Sequence, residues 1–190
     1  MTTADQDRTD PDTVGLVDPH WQGEGEPPPW AVIGRWQAGE DGSVREFAEN
    51  AEYRPSPTAC GWPPPTDPVA AAVRAGATGY GLPEDVHRAL AGARVAVLLD
   101  EYAEIGGFTP PDGDPAVVVY SARSWPAAAG DPGHAVIGPG TLPDRLPPGL
   151  GIVVNPGAPA AMRLDPGALW RAVDVLDREG GRGRPLRPFD

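Results

Sequence analysis

The order of apolar and polar residues separates an irregular first part of the chain from a more regular second part. Alternation from Trp30 to Trp36, a turn sequence at Gly39–Gly42 and a return strand from Val44 to Phe47 predict a β-hairpin. Asp-Gly in that turn supplies the positive φ angles that a tight connection needs. The stretch from Tyr53 to Pro65 is predicted to be irregular, because its prolines fix φ and remove backbone donors.

Two Asp-Pro pairs mark predicted helix starts. Asp67-Pro68 and Asp165-Pro166 each place a capping carboxylate before a proline that suits the first helical position. Helices are therefore predicted from Val69 to Ala77 and through Leu169, Val173 and Leu176. A third, short helix is predicted to begin at Leu82-Pro83.

Continuous apolar runs in the second half predict strands that are buried on both faces. They lie at Arg94–Asp100 and Ala116–Ser121, and further strands are predicted at His134–Ile137 and Gly151–Asn155. The predicted fold class is α/β, with α+β as the alternative. A small mixed sheet packed with helices would follow a Trp/Pro-rich β-hairpin segment and a disordered acidic N-terminal arm.

These elements predict four regions along the chain. Residues 1–19 would be the disordered acidic arm, and residues 20–82 the Trp/Pro-rich hairpin-plus-helix segment. Residues 83–179 would form an α/β domain, and residues 180–190 a frayed tail. Gly 25 and Pro 26 make up about a quarter of the 190 residues, which fits a folded middle with loose ends.

The net charge of −12 is concentrated near the start of the chain. Residues 1–30 hold seven acidic residues against one arginine, in a stretch with little apolar surface to bury. An acidic balance argues against nucleic-acid binding and against anionic membrane surfaces, which both select basic patches. No apolar run approaches the roughly 20 residues of a membrane span. The start of the chain lacks the apolar stretch of a secretory signal, so a cytoplasmic protein without membrane insertion is expected.

Several kinds of chemistry lack the residues that they require. All fifteen basic residues are arginine, which excludes Schiff-base and phosphate-loop lysines. Cys60 is the single cysteine, interpreted as an inert thiol. The three histidines share no metal-ligand spacing, and His87 is interpreted as a surface residue. We therefore expect no enzyme, no cofactor and no metal site.

An acidic cluster at a strand end leaves one alternative open. Asp100, Glu101 and Glu104 could perform acid–base work or bind a cation in a small hydrolase or ligand-binding enzyme. Acids are also common where a strand emerges into water, and that interpretation is preferred.

Aromatic residues between positions 21 and 62 suggest either packing or binding. Four of the six tryptophans lie there, among fixed proline segments. They could staple the hairpin onto the α/β body, or they could form a surface for a protein partner. The candidate contact residues are Trp21, Trp30, Trp36, Tyr53, Arg54 and Trp62.

The same block resembles a known family, the type VII secretion system-associated proteins of actinomycetes. The matching text is Trp30–Trp36, Gly42, Asn50, Tyr53–Pro57, Gly61-Trp62-Pro63, Pro65–Pro68 and Ala77–Gly81. The second half resembles an SseB-like domain, which is α/β. That resemblance is carried by Val95–Asp100, Asp112-Gly113 before Val117–Ser121, Leu146–Gly149 and Asn155-Pro156-Gly157.

The resemblance implies a cytoplasmic, non-enzymatic accessory protein of type VII secretion. It would act as an adaptor, chaperone or immunity-like protein. The expected partner is a secretion component, a substrate or a neighbouring toxin. The resemblance supplies no catalytic residue.

Overall fold

A computed structural model describes residues 13–38, 44–109, 113–122, 130 and 132–179. The chain divides into two compact units, Met1–Gly61 and Trp62–Asp190. The predicted α/β fold is confirmed: three helices and two sheets occur in the described part of the chain. The predicted hairpin turn at Gly39–Gly42, residues 1–12 of the predicted acidic arm and the tail 180–190 lie outside the described residues.

The N-terminal unit is a three-stranded antiparallel sheet. Its strands are β1 (Thr13–Val17), β2 (Val32–Ala38) and β3 (Val44–Glu49), in the order β1-β2-β3. A single 3-10 turn, Pro29–Ala31, leads into β2. The predicted pairing of the two hairpin strands is confirmed, whereas β1 corrects the prediction of a disordered arm over residues 13–17.

The C-terminal unit is built on a five-stranded mixed sheet. Its strands are β4 (Val95–Leu98), β5 (Ala116–Tyr120), β6 (His134–Ile137), β7 (Gly151–Val154) and β8 (Met162–Leu164), in the order β6-β4-β5-β7-β8. Only β5 and β7 run parallel; the other neighbours are antiparallel. The apolar runs predicted as central strands do occupy the middle of the sheet, where both faces are buried.

Three helices belong to this unit: α1 (Pro68–Thr78), α2 (Pro83–Ala91) and α3 (Pro166–Arg178). Their apolar faces share one core with alternate residues of the central strands, including Val97, Val119 and Val154. Gly79 adopts a positive φ of 80° and ends α1, as left-handed glycine caps commonly do.

The boundary between the units differs from the predicted one. It falls after Gly61, whereas the sequence placed α1 with the hairpin up to residue 82. The reason is that Val69 and Val73 of α1 are fully buried among residues of α2 and the central strands. These contacts are non-local, and no local pattern announces them.

Candidate functional site

The N-terminal unit is organised around one buried carboxylate, Asp18, which is 1% exposed. Its Oδ2 accepts a hydrogen bond from the Tyr53 hydroxyl at 2.7 Å and from the Ser56 N–H at 3.2 Å. Its Oδ1 accepts from the His20 N–H at 2.9 Å. The Asp18 N–H in turn donates to the carbonyl of Ala31 at 2.9 Å. Asp18 therefore joins the end of β1 to the irregular stretch after β3.

Burial and hydrogen bonding act on Asp18 in opposite directions. Burial alone would raise the pKa of this carboxyl, but the donors from Tyr53, His20 and Ser56 outweigh it and hold the pKa below its ordinary value. Asp18 is thus kept as a carboxylate. Sequence reasoning missed this role because Asp18 and Tyr53 are 35 positions apart.

Asn50 makes a second set of cross-links in the same unit. Its Nδ2 donates to the carbonyls of Pro29 at 2.6 Å and Val32 at 2.8 Å, and its Oδ1 accepts from the Glu52 N–H at 3.0 Å. These bonds tie the end of β3 to the turn that precedes β2. Asn50, Tyr53 and Ser56 all belong to the text that carries the family resemblance, and here they shape the scaffold.

One face of the three-stranded sheet exposes large apolar side chains. Val14, Trp36 and Phe47 lie opposite one another across the three strands, so they share a face. Leu16 belongs to the next row on the same face. Val14 is 65% exposed, Leu16 43% and Trp36 39%. We call Val14, Leu16, Trp36 and Phe47 the aromatic face.

Close packing holds the two rings of the aromatic face in place. The ring centroids of Trp36 and Phe47 are 4.7 Å apart, with the ring planes tilted by 50°. Gly34 allows this arrangement, because a Cβ there would overlap the Phe47 ring and the carbonyl oxygen of Ala48. The pair therefore presents a defined surface.

The predicted contact residues have different environments. Trp36 is exposed on the aromatic face, and Arg54 is also exposed. Trp21 and Trp30 are half-buried, and the ring of Trp21 lies against Gly23. Tyr53 is half-buried, and its hydroxyl donates a hydrogen bond to Asp18. The sixth residue, Trp62, begins the C-terminal unit and packs against the core of that unit.

The opposite face of the N-terminal sheet borders a broad cleft of about 850 Å³. The segment Pro27–Pro29 forms one wall, and Gly15, Val17, Arg35 and Ala48 contribute from the strands. Glu26, Glu49 and Glu52 also line the cleft, so its acidic side chains outnumber its single arginine. The acidic lining of this cleft thus differs from the apolar side chains of the aromatic face.

The acidic cluster at the end of β4 forms a tight turn. The Asp100 Oδ1 accepts from the N–H groups of Tyr102 at 2.9 Å and Glu104 at 3.0 Å, so this carboxylate closes the turn. Glu101 and Glu104 are exposed. Glu104 and Arg145 line a shallow depression. The other residues that line this depression are aliphatic, alanine or proline. This geometry gives Asp100 a structural role.

The carboxyl ends of the parallel strands β5 and β7 meet a buried polar cluster. Ser121 follows β5, Asn155 follows β7, and Asp67 caps α1. The Ser121 hydroxyl donates to Asp67 Oδ2 at 3.0 Å and accepts from Asn155 Nδ2 at 2.8 Å. Asn155 Oδ1 accepts from the Ser121 N–H at 2.9 Å.

Open α/β sheets often bind ligands at such strand ends. Here the three side chains are at most 7% exposed and satisfy one another, so the position is filled by the protein itself. Asn155, predicted as the last residue of a strand, reaches this position with a positive φ of 53°. Asparagine tolerates that conformation better than most residues.

A groove of about 320 Å³ between α2 and α3 contains His87. His87 is half-buried in this groove at the surface of the unit. Its Nδ1 lies 2.8 Å from the Pro83 carbonyl, and its buried Nε2 has no hydrogen-bond partner in the described chain. Arg88 and Arg171 line the groove, but each faces a carboxylate, Asp85 at 3.0 Å and Asp165 at 3.7 Å.

The described ranges contain no cluster of three or more histidine, cysteine or acidic residues that could hold a metal ion. They also contain no helix that is both long and apolar enough to cross a bilayer.

Comparisons of the chain with protein-family models, with curated proteins and with solved structures found no match.

Proposed function

We propose that this chain is a non-enzymatic accessory protein that binds a protein partner through the aromatic face of its N-terminal unit. The observation that carries the proposal is the exposure of Val14 at 65%, Leu16 at 43% and Trp36 at 39% on one face of one sheet. Contiguous exposed apolar surface commonly marks an interaction site, and tryptophan is enriched among the residues that dominate binding energy.

The pathway assignment rests on the resemblance to type VII secretion system-associated proteins. On that basis the protein would be a cytoplasmic adaptor, chaperone or immunity-like protein, and its partner a secretion component, a substrate or a neighbouring toxin. Residues of the resembling text, among them Asn50, Tyr53 and Ser56, hold together the unit that bears the aromatic face. This arrangement supports the proposal, because it links the resemblance to the surface offered for binding.

Capture of partners by the full chain tests the proposal. Tagged protein is expected to recover a type VII secretion component, a substrate or a neighbouring toxin from the native organism. Trp36→Ala is expected to weaken that binding by about tenfold or more, as for a residue central to an interface.

The matched control is Trp170→Ala, because Trp170 is 48% exposed on α3 of the other unit. It should bind like the unchanged protein. Recovery of no secretion-related protein would overturn the pathway assignment. Equal losses from Trp36→Ala and Trp170→Ala would overturn the proposed surface.

A further inference from the structure

The two outer strands of the N-terminal sheet differ in how their edges are protected. β1 and β3 flank β2, and within the described residues β1 pairs with β2 alone. β3 carries Glu46 and Glu49, charges of the kind that discourage pairing at an edge. β1 reads TVGLV, with neither a charge nor a proline. The outer edge of β1 is therefore the one better able to pair with an added strand, and we call it the receptive edge.

The receptive edge is continuous with the aromatic face. Val14 and Leu16 of β1 point to that face, beside Trp36 of β2. A strand added along β1 would place every second side chain next to Val14 and Leu16. Backbone hydrogen bonds would supply affinity, and the alternate side chains would supply specificity.

Charge selects among the possible occupants of this edge. Residues 1–61 contain 12 acidic and 4 basic residues, a net charge of −8, whereas residues 62–190 contain 15 and 11. Asp10 and Asp12 directly precede β1 in the sequence. A second copy of the chain would bring two acidic units together, whereas a basic segment would be attracted.

We propose that the outer edge of β1 accepts an extended segment of a partner protein, with apolar residues at alternate positions and basic residues at its flanks. This inference rests on the proposed function, since it specifies how the partner would meet the N-terminal unit. The added strand would extend the sheet to four strands and cover Val14 and Leu16.

Synthetic peptides test the inference on the full chain. The probe is a short peptide of alternating valine and threonine between lysine pairs. It should bind and should slow amide exchange of residues 13–17. The same peptide with glutamate flanks, or with N-methylated valines that cannot donate hydrogen bonds, should bind at least about tenfold more weakly.

Matched variants test whether the peptide binds along β1. Val14→Lys should weaken lysine-peptide binding, while Val136→Lys should not. Both residues are exposed valines on edge strands, at 65% and 46%, but Val136 belongs to β6 of the other unit. Failure of the lysine peptide to bind, equal binding of the N-methylated peptide, or slowed exchange only outside residues 13–17 would each overturn the inference. Dimerisation of the chain with slowed exchange in β1 would also overturn it, because the occupant would then be a second copy.

The two proposals fail in different ways. A captured partner that depends on Trp36 but leaves exchange in β1 unchanged would refute the edge and leave the proposed function intact. Peptide binding at β1 combined with recovery of no native partner would support the edge and refute the proposed function.

Discussion

Each of the two units of this chain contains a buried aspartate, but the surroundings of the two aspartates differ. Among the described residues, the C-terminal unit, which contains Asp67, has 25 buried apolar residues. The N-terminal unit, which contains Asp18, has two, Ala31 and Val32. The C-terminal unit therefore draws its stability mainly from apolar burial. The N-terminal unit depends on the hydrogen bonds of Asp18 and Asn50. It leaves Val14, Leu16 and Trp36 exposed. This contrast supports the proposal that a protein partner covers the aromatic face.

The largest effect is expected from the core of the C-terminal unit. Ile152→Ala should lower the free energy of unfolding by about 2–5 kcal/mol, because Ile152 is fully buried at 0% exposure and its loss leaves a cavity. Denaturant titration followed by circular dichroism measures the change. Val136→Ala is the control, since Val136 is 46% exposed and should change stability little. Similar losses from both variants would contradict a C-terminal unit stabilised by apolar burial.

Substituting the two capping aspartates in turn distinguishes the stability supplied by a buried hydrogen-bond network from that supplied by a helix cap alone. Asp67→Ala removes the cap of α1 and deprives the buried Ser121 hydroxyl of its acceptor. Asp165→Ala removes the cap of α3 at an exposed position. Loss of a cap costs about 0.5–2 kcal/mol, and a buried unsatisfied group about 1–3 kcal/mol more. Thermal unfolding should therefore rank Asp67→Ala as clearly the more damaging; equal effects would contradict the role of the network.

The helix starts also indicate how far sequence reasoning can go. Asp67-Pro68 and Asp165-Pro166 were predictable because capping is a local interaction, and the central strands were predictable because their apolar runs are continuous. β1 and β8 were missed, since each is short and is defined by pairing with a distant strand. The Asp18–Tyr53 and Ser121–Asn155 contacts were missed for the same reason, as they join residues 35 and 34 positions apart.

Exposure of the aromatic face had only a partial signal in the sequence. The density of tryptophans indicated packing or binding without separating the two. The register of β1 against β2 decides which side chains share a face, and β1 was not foreseen. Trp62 shows the other outcome, because it belongs to the same aromatic block but packs against the core of the C-terminal unit.

A smaller effect is expected at the carboxylate of the N-terminal unit. Tyr53→Phe removes the hydroxyl that donates to Asp18 at 2.7 Å. A hydrogen bond to a charged group contributes about 1.5–3 kcal/mol, and the half-buried position favours the lower end. Fluorescence of Trp21 and Trp30 in a variant that lacks the other tryptophans would follow unfolding of this unit. Tyr102→Phe, at a site 78% exposed, is the matched control and should leave stability unchanged.

Tyr53→Phe should also change the pKa of Asp18, which can be followed by acid titration. Because the folded pKa of Asp18 is depressed, its contribution to stability is present above the unfolded pKa of about 3.9 and is lost as pH falls through the lower folded pKa. Tyr53→Phe removes one cause of the depression, so the pKa should rise towards its ordinary value. Carboxyl chemical shifts measured by NMR during an acid titration would report it. An unchanged or lower pKa would contradict the balance described for Asp18.

The smallest effect is expected at the acidic turn after β4. Asp100→Ala should cost about 0.5–1.5 kcal/mol, because it removes the acceptor for two N–H groups of the turn. Glu101→Ala, which changes an exposed neighbour, should be close to neutral. Equal costs measured by denaturant titration would remove the structural role assigned to Asp100.

Amide hydrogen exchange of the full chain with its captured native partner tests the central claim most directly. That claim is that the N-terminal unit is the unit that binds the partner. Slowed exchange in residues 13–17 and 32–37, with the strands of the C-terminal unit unchanged, is the predicted result. Slowed exchange confined to residues 62–179 would contradict the account.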